Sequence, residues 1–307
     1  MSLRGTFPVL CTPFDDNGSI SVADFERLIG FIVEAGADGC VYPGVASEVD
    51  TLSDAERADM VERLGAQLNG RIPFIVGASA AEPVDVLAHI DVGVCAGASC
   101  AMVMAPGHIG AELDAQTAFF DAVGSASPIP IMLQNAPVPI GAGLSAGIVA
   151  NIAKSVDAVR YVKEETMPCG QNLSLIQAAC SDNIEGVFGG AGGRYITDEL
   201  ARGSLGTMPA SELADLHVAL VRAWRSGDEF EARRLFMVSM PALNFQAIFR
   251  MHMTKETLRL RGVLSATHVR GKGPKMDAGD RAELHALLDQ LAPELSLATF
   301  ALKVAAE

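Results

Sequence analysis

The 307-residue sequence lacks any apolar run approaching the roughly 18 to 20 residues that a membrane-spanning helix needs, because Gly, Pro or charge interrupts each one. No membrane association is expected. Basic side chains are the minority, 23 Lys+Arg against 37 Asp+Glu for a net charge of −14, and they gather into no patch. Such a surface repels phosphate backbones and anionic lipid, which argues against nucleic acid as a partner. The six cysteines (Cys11, Cys40, Cys95, Cys100, Cys169, Cys180) form no CxxC pair and have no histidine at zinc-finger spacing. Buried free thiols in a reducing compartment are expected. His89, His217, His252, His268 and His285 show no HxxxH or carboxylate spacing, so no metal site is expected. The N-terminal stretch resembles no secretory leader, which points to the cytoplasm. Repeats and low-complexity tracts are also missing.

What is present is a chain half apolar and 20% charged, able to bury a large core. Short continuous apolar runs recur at Thr6 to Cys11, Gly39 to Tyr42, Pro73 to Val76, Cys100 to Met104, Ile129 to Leu133, Ala158 to Lys163, Ile184 to Phe188 and Ser204 to Met208. Their continuity is that of parallel strands buried on both faces. Between them lie helix-start signals, such as Ser21 ahead of Asp24 and Ser53 ahead of Glu56, where a hydroxyl caps the first turn and a carboxylate favours the dipole. Eight such βα units before about residue 225 suit a closed (β/α)8 TIM barrel, since closure removes edge strands. After Trp224 the pattern is helical only, over Asp228 to Met240, Ala242 to Arg261, Ala278 to Ala292 and Leu295 to Ala305. The expected division is a barrel carrying the active site over 1–225 and a C-terminal helical domain over 226–307. Those tail helices could bury against the barrel or against another subunit, and the pattern leaves both open.

Barrel active sites lie at the C-terminal ends of the strands, and the sixth run ends in Lys163. Alternation puts Val159, Tyr161 and Lys163 on one face. If that face points inward, an amine stands in a mostly apolar barrel mouth. A neutral amine adds to ketones, and the resulting iminium is an electron sink for C–C cleavage, C–C formation or loss of a β-hydroxyl. The position equally suits a solvated lysine at a strand end. Strand two runs into Pro43-Gly-Val-Ala-Ser-Glu48, a glycine-led turn whose successive amides can hold a carboxylate. Strand seven runs into Val187-Phe-Gly-Gly-Ala-Gly-Gly193, which suits either phosphate binding or close packing over the mouth.

Together, Gly5-Thr-Phe-Pro-Val-Leu-Cys-Thr-Pro-Phe14, Gly44-x-x-Ser-Glu48 with Thr51-Leu-Ser-Asp-Ala-Glu56, Pro130-Ile-Met-Leu-Gln-Asn-Ala-Pro137 and Val162-Lys-Glu-Glu-Thr166 resemble the dihydrodipicolinate synthase and N-acetylneuraminate lyase family. The resemblance spans the whole chain. It implies a homotetramer or homodimer of barrels in which Lys163 forms a covalent imine with pyruvate or another 2-keto acid, with no further cofactor. It also implies that the amides of Val45 and Ala46 receive the keto-acid carboxylate, with Gly189 and Gly206 near the imine.

The departures fall on residues that define activity within the family. Gln134 stands where the family's tyrosine shuttles protons, and an amide is neither acid nor base near neutrality. Pro139 replaces the synthases' arginine, and His108 a second tyrosine. Val45-Ala46 stands where many members carry two threonines. The Gln-Asn-Ala-Pro strand end and the Ser-Glu turn are more similar to the subgroup of 2-keto-3-deoxy-sugar-acid dehydratases, in particular those acting on L-2-keto-3-deoxyarabonate. The expected activity is therefore a dehydratase or aldolase of such acids, with Ser47, Gln134 and His108 as the polar groups for substrate binding and proton transfer. The alternatives are a dihydrodipicolinate synthase and a non-catalytic keto-acid binder. Glu48 is expected to brace its turn, and one of Glu164 and Glu165 to sit in a structural polar cluster, because strand neighbours face opposite ways.

Overall fold

The structure, a computed structural model, describes residues 2–297. Eight parallel strands alternate with helices: β1 (Gly5–Thr6), β2 (Cys40–Tyr42), β3 (Phe74–Gly77), β4 (Cys100–Met104), β5 (Ile131–Asn135), β6 (Val159–Glu164), β7 (Gly186–Gly189) and β8 (Gly206–Thr207). Neighbours in sequence pair throughout, β1 pairs β8, and the Val9–Val41 bridge closes the ring between β1 and β2. The TIM barrel is thus present with every expected strand.

Strand lengths differ from expectation for backbone reasons. Pro8 and Pro209 have no N–H to give a ladder, so β1 and β8 are short, and pairing resumes at Val9 and Ala210. β5 runs two residues further than its apolar run because Gln134 and Asn135 both find polar partners at the barrel mouth. In β6 two residues, Val159 and Tyr161, pair with the adjacent Ile131 and Met132, so Arg160 is a bulge. Val159 consequently packs between barrel and helices, whereas Tyr161 packs inside, so the expected single face holds only for Tyr161 and Lys163. Inside the ring, Tyr161, Phe7, Phe188, Met102 and Met132 form a separate core, with Phe7 edge-on to Phe188 at 5.5 Å. Each such side chain contributes about 1.5–3 kcal/mol by burial.

The helices begin where their caps say. Ser21 caps α1 (Val22–Glu34) by accepting from Asp24 N–H, and Ser53 and Glu56 form a reciprocal capping box on α2 (Asp54–Leu68). Following α3 (Pro83–Cys95), α4 (Leu113–Gly124), α5 (Ala146–Ser155), α6 (Cys169–Cys180), α7 (Ile196–Ala201) and α8 (Ala214–Arg225), the tail adds α9 (Glu229–Phe249), α10 (Met251–Leu260) and α11 (Ala278–Leu291). The sequence suggested a break near Pro241, yet α9 runs through it. Pro241 is exposed and so is Met237, whose carbonyl loses its i+4 donor, so the missing hydrogen bond falls on the exposed side of the helix. The chain breaks instead at Arg250, held at φ 46° and ψ −120°. The apolar faces of α9 to α11 share one core with α7 and α8, and the buried Arg261–Asp215 pair at 2.7 Å fastens α10 to α8. The tail therefore covers this side of the barrel. Of the fourth expected tail helix, Leu295 to Ala305, residues 295–297 are not helical and the remainder lies outside the described residues. Five cysteines are buried as expected, but Cys95 is exposed at the end of α3. Among the described residues, no helix is long and apolar enough to cross a membrane.

Candidate active site

Lys163 stands near the C-terminal end of β6, beside Gln134 of β5 and Phe188 of β7. It is only 5% exposed, so the solvated-lysine reading fails. Its amine lines a cavity of about 290 Å³ bounded by the Gly44–Ala46 turn, Met102, Gln134, the Ala191–Gly192 loop, Arg194, Tyr195 and Arg250. A wider cavity of about 970 Å³ adjoins it through Gly44, Val45, Met102, Gln134, Ile140 and Arg250.

The mouth is less apolar than the sequence suggested. Glu165 lies two residues beyond Lys163, on the same face, and its Oε1 is 3.2 Å from Nζ. Gln134 Nε2 donates to Glu165 Oε2 at 2.7 Å, and Ala191 N–H donates to Oε1 at 3.0 Å. Burial pushes this carboxyl up, but the Lys163 charge and these donors outweigh it and hold it below the usual carboxylate range. An ionised carboxylate is therefore fixed beside the amine, with Gln134 as its orienting clamp. Sequence reasoning missed Glu165; the period of two that selected Lys163 also selects it.

Glu164 faces the other way and accepts from Asn135 Nδ2 at 2.8 Å, from Thr166 N–H at 2.7 Å and from the Thr166 hydroxyl. Asn135 in turn exchanges two hydrogen bonds with the Leu144 backbone. This is the polar cluster expected of one glutamate, and it pins the β5 and β6 ends together. Burial pushes the Glu164 carboxyl up to about 7.

The turn after β2 is a short 3₁₀ helix over Val45–Ser47, whose first N–H groups, those of Val45 and Ala46, have no intrahelical acceptor and border the cavity. Ser47 is fully buried, with its hydroxyl accepting from Gly44 N–H and donating to the Leu10 carbonyl at 2.5 Å. It shapes the turn and lines neither cavity. Glu48 braces that turn as expected. In a left-handed backbone conformation (φ 57°), it reaches Lys255 Nζ at 2.5 Å and the Gly271 N–H at 2.7 Å. Lys255 also donates to the His268 carbonyl at 2.8 Å. Fully buried, Lys255 is the link between the tail and the mouth.

The remaining sequence candidates lie further out. His108 is exposed in the 3₁₀ turn after β4 and lines the wide cavity with Gln134, apart from Lys163. Gly189 and Gly206 line neither cavity, and each has a packing reason to be glycine. A Cβ on Gly189 would lie 1.8 Å from Glu199 Oε2, and one on Gly206 would lie 1.8 Å from the Gly5 carbonyl oxygen. Among the described residues, no three His, Cys, Asp or Glu side chains converge as a metal site would require.

The chain matches the dihydrodipicolinate synthetase family over residues 2–291. It is 31% identical over 304 residues to the L-2-keto-3-deoxyarabonate dehydratase of Azospirillum brasilense, covering 94% of this chain and 95% of that one. To the 4-hydroxy-tetrahydrodipicolinate synthase of Methanopyrus kandleri it is 27% identical over 243 residues, covering 78% and 80%. The dihydrodipicolinate synthase structure from Rhodopseudomonas palustris superposes with a TM-score of 0.86 at 25% identity, covering 94% of this chain and 97% of that one.

Proposed function

The chain belongs to the dihydrodipicolinate synthetase family, and on that premise we propose that it is a Schiff-base lyase of 2-keto acids, a 2-keto-3-deoxy-sugar-acid dehydratase. The observation that carries this reading is the buried amine of Lys163 in the small cavity at the barrel mouth, with the carboxylate of Glu165 at 3.2 Å. In the proposed reaction the substrate carboxylate rests on the amides of Val45 and Ala46. Lys163 Nζ adds to the C2 carbonyl, water leaves, and a protonated imine forms. Glu165 takes a proton from C3, giving an enamine. The enamine electrons then expel the C4 hydroxyl, which takes that proton back from Glu165 and departs as water, leaving a conjugated imine that hydrolysis releases. The net change is loss of one water, without redox chemistry.

The same residues weigh against the synthase alternative. Gln134 and Pro139 supply neither the tyrosine proton relay nor the second-substrate arginine, whereas Glu165 already offers a base at the imine. The exposed apolar side chains Val138 and Ile140 in the loop after β5, and Phe230, Met237 and Ile248 on α9, are surfaces that self-association into homodimers or homotetramers would cover. Assay of the wild type and Lys163→Ala with L-2-keto-3-deoxyarabonate and with 2-keto-3-deoxy acids that carry a second carboxylate or a phosphate at the remote end tests the reading. Water loss that disappears in the variant is expected; no dehydration of any such acid by the wild type overturns it.

A further inference from the structure

We propose that Arg194 and Arg250 form an anion-binding subsite beside Lys163, which takes a 2-keto acid carrying a second anionic group, carboxylate or phosphate, at the end remote from its keto carbon. The proposal rests on the Schiff-base reading for where the keto carbon sits. It narrows the substrate to sugar acids charged at both ends.

Charge is unevenly distributed around the small cavity. The small cavity is bordered by three cations, Lys163, Arg194 and Arg250, and by one carboxylate, Glu165, which is already committed to Lys163. In a chain of net charge −14, two guanidiniums with no carboxylate hydrogen-bonded to either form a local excess of positive charge. Arg250 makes no side-chain hydrogen bond or salt bridge among the described residues. Arg194 spends one donor on Gln246 Oε1 at 3.0 Å, a neutral acceptor. Glu212 and Glu165 lie within electrostatic reach of Arg194, but burial pushes the Glu212 carboxyl up, which weakens it as a counter-charge, and Glu165 is paired with Lys163. The arginines also feel each other: burial first, and then the Arg250 charge, hold Arg194 below its ordinary value.

The backbone holds this pair in place. Arg250 sits in the break between α9 and α10 at φ 46°, a conformation that residues with a side chain rarely adopt, and it borders both cavities. Gln246 serves both arginines, its side chain accepting from Arg194 and its carbonyl accepting from Arg250 N–H at 2.8 Å. Gly192 leaves room for that junction, since a Cβ there would lie 2.9 Å from Arg194 Nη1. A planar guanidinium pair recognises carboxylate or phosphate oxygens through paired N–H donors. The keto-acid carboxylate is already provided for by the turn after β2, so the arginines are left for a second anion. A simple 2-keto acid does not supply one.

Binding by titration calorimetry to the full-length protein tests this, with 2-oxoadipate, 2-oxo-5-phosphonopentanoate and the uncharged-ended 2-oxohexanoate as probes. At least one doubly charged probe is expected to bind about tenfold or more tighter than 2-oxohexanoate. Which of the two binds better tells carboxylate from phosphate. That ratio is expected to fall towards one in Arg250→Gly, which also relieves the left-handed backbone, and in Arg194→Gln, and to be partly kept in Arg250→Lys. Equal affinity for all three probes in the wild type, or a ratio unchanged in both Arg250→Gly and Arg194→Gln, overturns the subsite. Borohydride reduction with pyruvate reads the Schiff base separately: lack of trapping refutes that chemistry, while the calorimetric ratio still decides the anion subsite.

Discussion

Replacing Lys255 by Met probes the link between the tail and the active-site turn. The Lys255 and Glu48 side chains are 0% and 3% exposed and 2.5 Å apart, and the ammonium also lies 4.2 Å from the Phe14 ring centroid. In the variant, Glu48 keeps only the Gly271 N–H and becomes a buried charge with no cation in contact. Removing one partner of a buried pair costs about 3–5 kcal/mol, because the desolvation of the other is no longer offset. For a chain of 307 residues that is a fall in Tm of roughly 5 to 8 °C. The double variant Glu48→Gln/Lys255→Met leaves no unpaired charge and is expected to recover most of the loss. Because Glu48 directly follows Val45–Ser47, the single variant should also raise KM for the keto acid. Differential scanning calorimetry of the wild type, both single variants and the double variant gives the comparison. A Lys255→Met protein within about 1 kcal/mol of the wild type, or a double variant no more stable than the single, would refute the reasoning.

Glu165→Gln keeps the shape of the site but removes the base, so kcat for dehydration should fall about 100-fold or more, and a loss under about threefold excludes it as the proton acceptor. Glu199 is buried beneath Gly189 with neither carboxylate oxygen hydrogen-bonded, and burial, with Glu165 and Asp198 adding, pushes its carboxyl up from 4.5 to about 8. The folded protein therefore binds this proton more tightly than the unfolded chain. Its contribution is full below about pH 4.5 and is lost as the pH rises to about 8. Denaturant midpoints of Glu199→Gln should consequently gain on the wild type between pH 5 and pH 8; a constant difference would contradict the assignment. Gly206→Ala drives a methyl into the Gly5 carbonyl and should splay β1 from β8, so a variant with unchanged Tm would show that this strand pair is not so closely packed.

The fold was legible because parallel strands buried on both faces leave continuous apolar runs, and because Ser21 and Ser53 mark helix starts through a local hydrogen bond. Features that depend on one residue's tertiary partner were not. The Arg160 bulge, the passage of α9 through Pro241 and the break at Arg250 all follow from how the elements pack, and none alters the apolar pattern. In the site, Lys163 was readable from its place at a strand end, and Glu165 was readable in principle from the same alternation. It was passed over because two successive glutamates gave no sign of which faced inward. Ser47 looked like a substrate ligand because a turn serine commonly is one; here the carbonyl of Leu10, distant in sequence, takes its proton. The Lys255–Glu48 pair spans 207 residues and leaves no local trace.

In the proposed reaction Lys163 is the residue that bonds to the substrate. Borohydride reduction in the presence of pyruvate, followed by peptide mass spectrometry, tests it most directly. One reduced pyruvyl adduct per chain is expected on Lys163, and none in Lys163→Ala. An unmodified Lys163, or an adduct that forms equally on other lysines, would contradict it.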